Sequence, residues 1–280
     1  MNAPSHPGTL ITVAPTGAET SKADVPALPT TPDEIVGTAV RCASAGAAMI
    51  HLHIRDDKHQ PTLDIGRLTD AVTAVRENTS MVVQLSTGGS VHDRLADRLK
   101  VLDAEPDSCS LTMGTTNFGD DVFMNPWPFV CELYQLSQAR EVVPEFELFD
   151  LGHVWALHRL LDTFGPPFGG RIHCDLVMGV PGGMPGTADA LVAAVQALPE
   201  STTSWSATGI GRTALPVALA SLAKGGHLRV GMEDTLTLAR GVPVTDNAQL
   251  VTRAANLCEV AQRPAMSTDD ARVLLQVKPR

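Results

Sequence analysis

The sequence has few aromatic residues and no long apolar run. Phe, Trp and Tyr make up only 4% of its 280 residues, although hydrophobic residues as a whole reach 44%. We therefore expect a core built mainly from Ala, Val, Leu and Ile, whose small or branched side chains suit helices packed on a parallel sheet. No stretch of about eighteen uncharged apolar residues exists, which argues against a transmembrane helix.

The sequence also has few basic residues and no cysteine spacing typical of disulfides or metal sites. The 21 Lys and Arg oppose 31 Asp and Glu, a net charge of −10 without any basic run, so nucleic acid is not the expected partner. This net charge does not exclude a small anionic substrate. The 5 cysteines are odd in number and lack CxxC spacing, which predicts free thiols in a reducing cytoplasm. Residues 1–10 lack the basic and apolar regions of a signal peptide.

The sequence does contain a regular alternation of apolar runs and helix-like segments. Eight runs are typical of β-strands: Leu10–Ala14, Met49–Ile54, Met81–Ser86, Ser108–Met113, Pro144–Phe149, Arg171–Met178, Thr203–Thr208 and Leu228–Met232. The helix-like segments lie at Pro32–Ser44, Ile65–Arg76, Val91–Val101, Pro126–Ala139, His153–Thr163, Thr187–Leu198, Ala214–Ala223 and Ala248–Val260. Eight such β/α units in about 250 residues predict an α/β fold, the (β/α)8 TIM barrel.

Capping signals support these helix positions. Thr31 and Glu34 predict a capping box with Pro32 at the first helical position. Ser267 is placed to cap a short extra C-terminal helix over Ala271–Val277. No linker or charge block divides the chain, so we expect a single domain over residues 1–280. A doubly wound open sheet has the same alternation and remains the alternative.

Several predicted strands carry polar residues on one face. His51 and His53 alternate with Ile50, Leu52 and Ile54. The same alternation places titratable groups on the inner face of other strands: Glu145 and Glu147, His173 and Asp175, and Arg229 and Glu233. Because burying charges alone is costly, these inward groups need partners, a metal ion or water.

The segment His51-Leu52-His53 indicates a metal site. Two imidazoles at this spacing project side by side, which suits two ligand positions on tetrahedral Zn²⁺. Strands 2 and 8 of a barrel both flank strand 1, so Glu233 can reach the same ion. Two histidines and one carboxylate leave a position open for substrate, which is typical of catalytic zinc. A pair of core or surface histidines is the alternative.

Asp234 follows Glu233 and begins the loop at the end of the eighth strand, the edge where barrel enzymes hold their active sites. An aspartate beside Arg229 can serve as a base when it is desolvated, although a surface salt bridge would have the same sequence.

The sequence does not indicate nucleotide binding. Gly209-Ile210-Gly211 lacks the third glycine of a dinucleotide-binding motif, and no Walker motif occurs.

Six segments together resemble the β-keto acid cleavage enzymes: residues 16–19, 50–56, 84–89, 114–119, 144–150 and 227–234. The resemblance runs in order from Ile11 to about Leu275. It implies a zinc-dependent barrel that converts a 3-oxo acid and acetyl-CoA into acetoacetate and the CoA thioester of the remaining acyl chain. It also implies a homo-oligomer, expected to be a tetramer.

The resemblance assigns roles to particular residues. His51, His53 and Glu233 match the zinc ligands. Asp234 matches the catalytic base, expected to take a proton from the acetyl methyl group of acetyl-CoA, and Arg229 matches the partner that orients it. Positions of the substrate pocket or its support are matched by Ser86, Thr115, Asn117 and Glu147. Ser86 and Thr115, with nearby backbone donors, are also expected to stabilise the enolate.

Glu19 matches a pocket carboxylate that many relatives lack, which suggests a cationic tail on the substrate.

Two other classes of function stay open. A zinc-dependent hydrolase or class II aldolase would use the same histidines and carboxylates, without any need for a thioester. A non-catalytic binding protein would bind no metal.

Overall fold

The computed structural model of the chain describes residues 8–279. Eight parallel strands form a closed barrel: β1 Ile11–Val13, β2 Met49–Leu52, β3 Val82–Leu85, β4 Ser108–Thr112, β5 Val143–Leu148, β6 His173–Met178, β7 Ser204–Gly209 and β8 His227–Val230. Val13 of β1 pairs with Val230 on one side and with Ile50 on the other, so β1 lies between β8 and β2. This closure confirms the predicted (β/α)8 barrel and excludes the open sheet.

The helices surround the barrel in the order α1 Pro32–Ser44, α2 Ile65–Asn78, α3 Leu95–Leu99, α4 Trp127–Ala139, α5 Leu151–Phe164, α6 Ala188–Ala197, α7 Ala214–Ala223, α8 Asn247–Val260 and α9 Thr268–Leu275. The predicted capping box at Thr31 and Glu34 is present. Ser267 caps α9, the short extra helix, through a hydrogen bond that its side chain accepts from the Asp270 amide. None of the helices within residues 8–279 is long and apolar enough to cross a membrane. Residues 1–7, part of the segment without a predicted signal peptide, lie outside the described range.

The third helix differs most from its prediction. It was expected over Val91–Val101, but α3 begins at Leu95 and continues as a 3-10 helix over Lys100–Ala104. A local turn delays the start, because the Ser90 amide donates to the Asp93 carboxylate at 2.7 Å and the Asp93 amide donates to the Ser90 carbonyl at 3.0 Å. Side chains that compete for local backbone groups in this way favour turns over helix.

The barrel has an apolar outer face and a polar interior. Outward side chains such as Ile50, Val83 and Leu228 are fully buried against the helices. The interior holds buried polar groups that find partners on neighbouring strands: His173 lies within hydrogen-bonding distance of Ser204 Oγ at 2.7 Å and Ser206 Oγ at 3.0 Å. The inner face therefore carries the titratable residues that the strand alternation places there.

Gly231 follows β8 and directs the chain toward the carboxyl edge of the barrel. A Cβ atom on this residue would lie 1.9 Å from the carbonyl oxygen of Ala14. Only glycine lets the chain pass this close to the end of β1. The Glu233 amide then donates to the same Ala14 oxygen at 3.2 Å, which fixes Glu233 and Asp234 at the carboxyl edge of the barrel.

Candidate active site

A cavity of about 380 Å³ opens at the carboxyl edge of the strands. Its polar floor combines seven of the residues singled out from the sequence: His51, His53, Ser86, Glu147, Arg229, Glu233 and Asp234. We call this space the central cavity. Its place agrees with the active-site face of (β/α)8 enzymes, where loops after several strands supply the functional groups.

His51, His53 and Glu233 form a group suited to a metal ion. Their potential ligand atoms all lie within 4.8 Å of one another. The Nε2 atom of His51 is 3.8 Å from Oε1 of Glu233, and the Nε2 atom of His53 is 3.7 Å from the same oxygen. The second oxygen of Glu233, Oε2, is buried and has no hydrogen-bond partner. Two imidazoles close to one carboxylate, whose other oxygen is buried without a partner, fit a divalent cation.

Gln84 of β3 holds His51 in the form that a metal requires. Its Oε1 atom lies 2.5 Å from Nδ1 of His51, while its Nε2 group donates to Ser108 Oγ at 3.2 Å and to Glu145 Oε1 at 3.3 Å. Because Gln84 Oε1 can only accept, Nδ1 carries the proton and the lone pair remains on Nε2. Burial, together with Arg229, lowers the pKa of His51 to about 4, so the ring is neutral near pH 7.

Arg229 connects three carboxylates beneath the central cavity. Its guanidinium donates to Glu147 at 3.2 Å, to Asp234 at 3.0 Å and to Glu233. Burial opposes ionisation of Glu233, but Arg229 and the two histidines outweigh it and lower the pKa of Glu233 to about 2. This carboxylate is therefore ionised and available as a ligand.

Asp234 lies beside the metal-ligand group in a different electrostatic state. Both Nε and Nη2 of Arg229 donate to its carboxylate, at 3.3 and 3.0 Å, which fixes its orientation. Burial nevertheless raises the pKa of Asp234 to about 7, against the attraction of Arg229. The site thus pairs a low-pKa carboxylate with one that can exchange a proton near neutral pH, an arrangement typical of acid–base catalysis.

Comparison with known proteins decides the family. The sequence matches the beta-keto acid cleavage enzyme family over residues 9–277. The chain belongs to this family. It is 35% identical over 272 residues to a "3-keto-5-aminohexanoate cleavage enzyme" of Fusobacterium nucleatum subsp. nucleatum, covering 96% of this chain and 98% of that one. It is 34% identical to a "3-oxoadipate:acetyl-CoA acetyltransferase" of Cupriavidus necator, covering 95% and 94% of the two chains.

Solved structures support the fold of this beta-keto acid cleavage family member. The apo structure of ObcA superposes with a TM-score of 0.75 at 20% sequence identity. The superposition covers 90% of this chain and 66% of ObcA. At this identity the likeness concerns the fold alone. The family expected from the sequence is confirmed by the family match and by the two relatives.

The remaining residues assigned from the family resemblance fall into two groups. Glu19 lines the central cavity at its solvent-exposed rim. Thr115 and Asn117 do not belong to its lining: Thr115 Oγ1 accepts a hydrogen bond from the Asn125 amide at 2.8 Å, and Asn117 is exposed in a hairpin of Thr116–Phe118 and Asp121–Phe123. The structure therefore brings Glu19 to the site and leaves the other two beside it.

Two features of this family member escaped the sequence reasoning. Gln84 alternates with Val83 and Leu85, which signals an inward side chain but not its contact with His51 on the next strand. The aromatic residues Phe118, Phe123 and Phe149 line the central cavity, although Phe149 lies far along the chain from the hairpin that carries the other two, and no sequence pattern links them.

Proposed function

We propose that this family member is a zinc-dependent acyltransferase. It converts a 3-oxo acid and acetyl-CoA into acetoacetate and the acyl-CoA of the remaining chain. One observation carries the proposal: the Asp234 carboxylate, held by two nitrogens of Arg229, faces the same cavity as the His51, His53 and Glu233 group. The names of the two relatives, which cite a 3-keto or 3-oxo acid and, in one case, acetyl-CoA, support the substrate classes.

His51, His53 and Glu233 would hold the zinc ion. When bound there, zinc would supply Lewis-acid polarisation of the substrate ketone, which makes the neighbouring C–H bond more acidic. The neutral state of His51 and the ionised state of Glu233 suit this ligand set. Arg229 keeps Glu233 ionised and at the same time anchors Asp234.

The connectivity of acetoacetate determines which proton Asp234 removes. Acetoacetate joins C1 and C2 of the 3-oxo acid to the acetyl carbonyl carbon, so the new bond forms at C2 of the acid. The proton therefore leaves C2, between the ketone and the carboxylate, and not the acetyl methyl group expected from the sequence. Asp234 takes this proton, and C2 attacks the acetyl carbonyl carbon.

The later steps balance without another reactant. The CoA sulfur leaves the acetyl carbon and bonds to C3 of the acid, after which the C2–C3 bond breaks. Its electron pair remains on C2 of the departing acetoacetate, and Asp234 returns the proton there. The same carboxylate thus acts first as base and then as acid, and it finishes the cycle in its starting state.

Ser86 and Glu147 support this chemistry in different ways. The Ser86 Oγ atom accepts from the Gly88 amide at 3.2 Å, which leaves its hydroxyl proton free to donate to an oxyanion in the cavity. Glu147 accepts from Arg229 at 3.2 Å and from Thr112 Oγ1 at 2.7 Å, so it positions the guanidinium.

The three other family-matched positions lie further from this centre. We assign Thr115 a supporting role, because it anchors the segment that follows the hairpin strands through the Asn125 amide. Asn117, within that hairpin, and Glu19, at the cavity rim, are assigned to contacts with parts of the substrates outside the cavity floor.

A homotetramer and a cytoplasmic location complete the proposal. Sedimentation equilibrium of the purified protein tests the tetramer.

The experiment is an assay of 3-oxo acids with acetyl-CoA that measures acetoacetate, with and without a zinc chelator. We expect acetoacetate only when both substrates and the metal are present. Asp234→Asn should abolish it, whereas Asp162→Asn, an exposed change on α5, should leave it intact. Cleavage of a 3-oxo acid without any thioester would instead indicate a hydrolase or aldolase and would overturn the proposal.

A further inference from the structure

One wall of the central cavity is aromatic. Phe118, Phe123 and Phe149 meet pairwise with ring centroids 6.1, 6.2 and 6.4 Å apart, all in edge-to-face contact. We call these three residues the aromatic wall. Edge-to-face packing of three rings makes a rigid apolar surface, because each ring restricts the rotation of the other two. Val177 and Val180, both nearly fully buried, extend this surface.

Backbone contacts hold the wall next to the catalytic floor. Phe118 and Phe123 lie on the two strands of the hairpin after β4, and the Gly119 amide at its turn donates to the Pro181 carbonyl at 3.0 Å. Phe123 packs so closely on Gly88 that a Cβ atom there would lie 2.9 Å from the ring. Gly88 in turn donates to Ser86. A substrate group that extends from the cavity floor near Ser86 therefore contacts the aromatic wall.

Among the residues that the structure describes, the cavity offers no unpaired lysine or arginine to an anionic substituent. Within residues 8–279, Arg229 is the only lysine or arginine that lines it. That guanidinium already binds Glu147, Glu233 and Asp234. A carboxylate pressed against the aromatic wall would lose water without gaining an ionic partner, which is costly.

The electrostatics of the aromatic wall disfavour a cationic substituent. The guanidinium of Arg98 lies behind Phe123, 4.9 Å from the ring centroid. It is buried, and its hydrogen bonds go to neutral acceptors: the carbonyls of Thr87 and Met124 and the side-chain oxygen of Asn125. A positive charge behind the ring opposes a second cation in front of it. Glu19, which could attract such a cation, is exposed at the rim, where water screens it.

We infer that the substituent on C3 of the 3-oxo acid is uncharged and apolar, an alkyl or aryl group that packs against the aromatic wall. This inference rests on the proposed function and names the substrate class of the same site. It sets this chain apart from its two relatives, whose names specify an amino acid and a dicarboxylic acid. It also assigns Phe123 a part in specificity.

The test compares three acids of equal chain length: 3-oxohexanoate, 5-amino-3-oxohexanoate and 3-oxoadipate. Each is assayed with acetyl-CoA and the zinc-loaded enzyme. We expect kcat/KM for 3-oxohexanoate to exceed the other two by about tenfold or more, the discrimination that a few apolar contacts provide. An equal or higher value for either charged acid would overturn the inference while leaving the proposed function intact. No acetoacetate from any of the acids would reject the proposed function.

Binding separates the two proposals further. Calorimetric titration of Asp234→Asn with the same acids measures the preference without turnover. A charged acid that binds as tightly as 3-oxohexanoate, or the absence of binding by any acid, would overturn the inference.

Phe123→Leu should lower kcat/KM for 3-oxohexanoate about tenfold while leaving the KM of acetyl-CoA unchanged. Phe129→Leu is the matched control, because Phe129 also contacts Arg98 but does not line the cavity. Equal losses in both variants on every acid would show that Phe123 is merely structural.

Discussion

The Nδ1 atom of His51 lies 2.5 Å from the Oε1 atom of Gln84, on the adjacent strand of the barrel. Gln84 also donates to Glu145, which contacts His173 at 3.1 Å. An imidazole of the proposed zinc site is thus connected to the polar interior of the barrel. Partners of this kind hold the ring and its proton in place, so that the ligand nitrogen needs no rearrangement when a metal binds.

Replacing Gln84 by Leu should therefore weaken zinc binding. The change removes the acceptor for Nδ1–H and frees the ring to adopt the other tautomer, and we expect the zinc dissociation constant to rise about ten- to hundredfold. Competition with a chromogenic chelator measures this directly. Gln135→Leu, an exposed change on α4, is the control. An unchanged dissociation constant in Gln84→Leu would contradict a role for the side chain in holding His51.

Replacing Arg229 by Met should destabilise the metal-free protein. Three carboxylates would lose their shared partner in a buried site, and removing one member of such a cluster costs about 3–5 kcal/mol. Urea unfolding of the metal-free protein measures the change. Zinc should restore part of the stability, because a bound cation offsets some of the carboxylate charge and favours the folded state. Arg240→Met, in the exposed hairpin after β8, should stay within about 0.5 kcal/mol of the parent.

We expect Glu34 to make a pH-dependent contribution to the free energy of unfolding. Burial opposes its ionisation, but Lys22 and the amides of Thr30 and Thr31 outweigh it and lower the pKa from 4.5 to about 2. The folded pKa lies below the unfolded one, so the contribution is complete above about pH 4.5 and is lost as the pH falls toward 2. The side chain is 41% exposed, which reduces the effect through solvent screening.

Glu34→Gln should accordingly lower the free energy of unfolding by about 0.5–1 kcal/mol at pH 7. The difference from the parent should shrink as the pH is lowered from 5 to 3. Denaturant titrations across this range test the trend, with the exposed Glu77→Gln as control. A difference that grows as the pH falls would have the wrong sign for this explanation.

Two glycine-to-alanine changes should have opposite effects. Gly231→Ala places a Cβ atom 1.9 Å from backbone, and the overpacking should cost about 1–3 kcal/mol or more and displace Glu233 and Asp234. Gly37→Ala, within α1, meets only the end of the flexible Arg41 side chain at 3.3 Å and should stabilise the protein by about 0.5–1 kcal/mol. Thermal unfolding of both variants tests the pair, and equal destabilisation would contradict it.

Local sequence patterns predicted much of the fold because they depend on neighbours along the chain. Strand alternation placed His51 and His53 on one face, and the capping residues marked the start of α1 and α9. The same reasoning misplaced α3, since the turn between Ser90 and Asp93 competes with helix formation over a distance of three residues. It also extended β2 beyond Leu52, where the strand ends.

The sequence by itself determined the eightfold β/α alternation, the family and the residue types of the candidate metal site, because each is written in local order or in motifs. Only the tertiary structure decided that Arg229 is shared among three carboxylates, that Gln84 holds His51, and that Phe123 packs over Gly88. These relationships join strands and loops far apart along the chain. Their distances depend on strand register and barrel closure, which arise from the packing of the whole molecule.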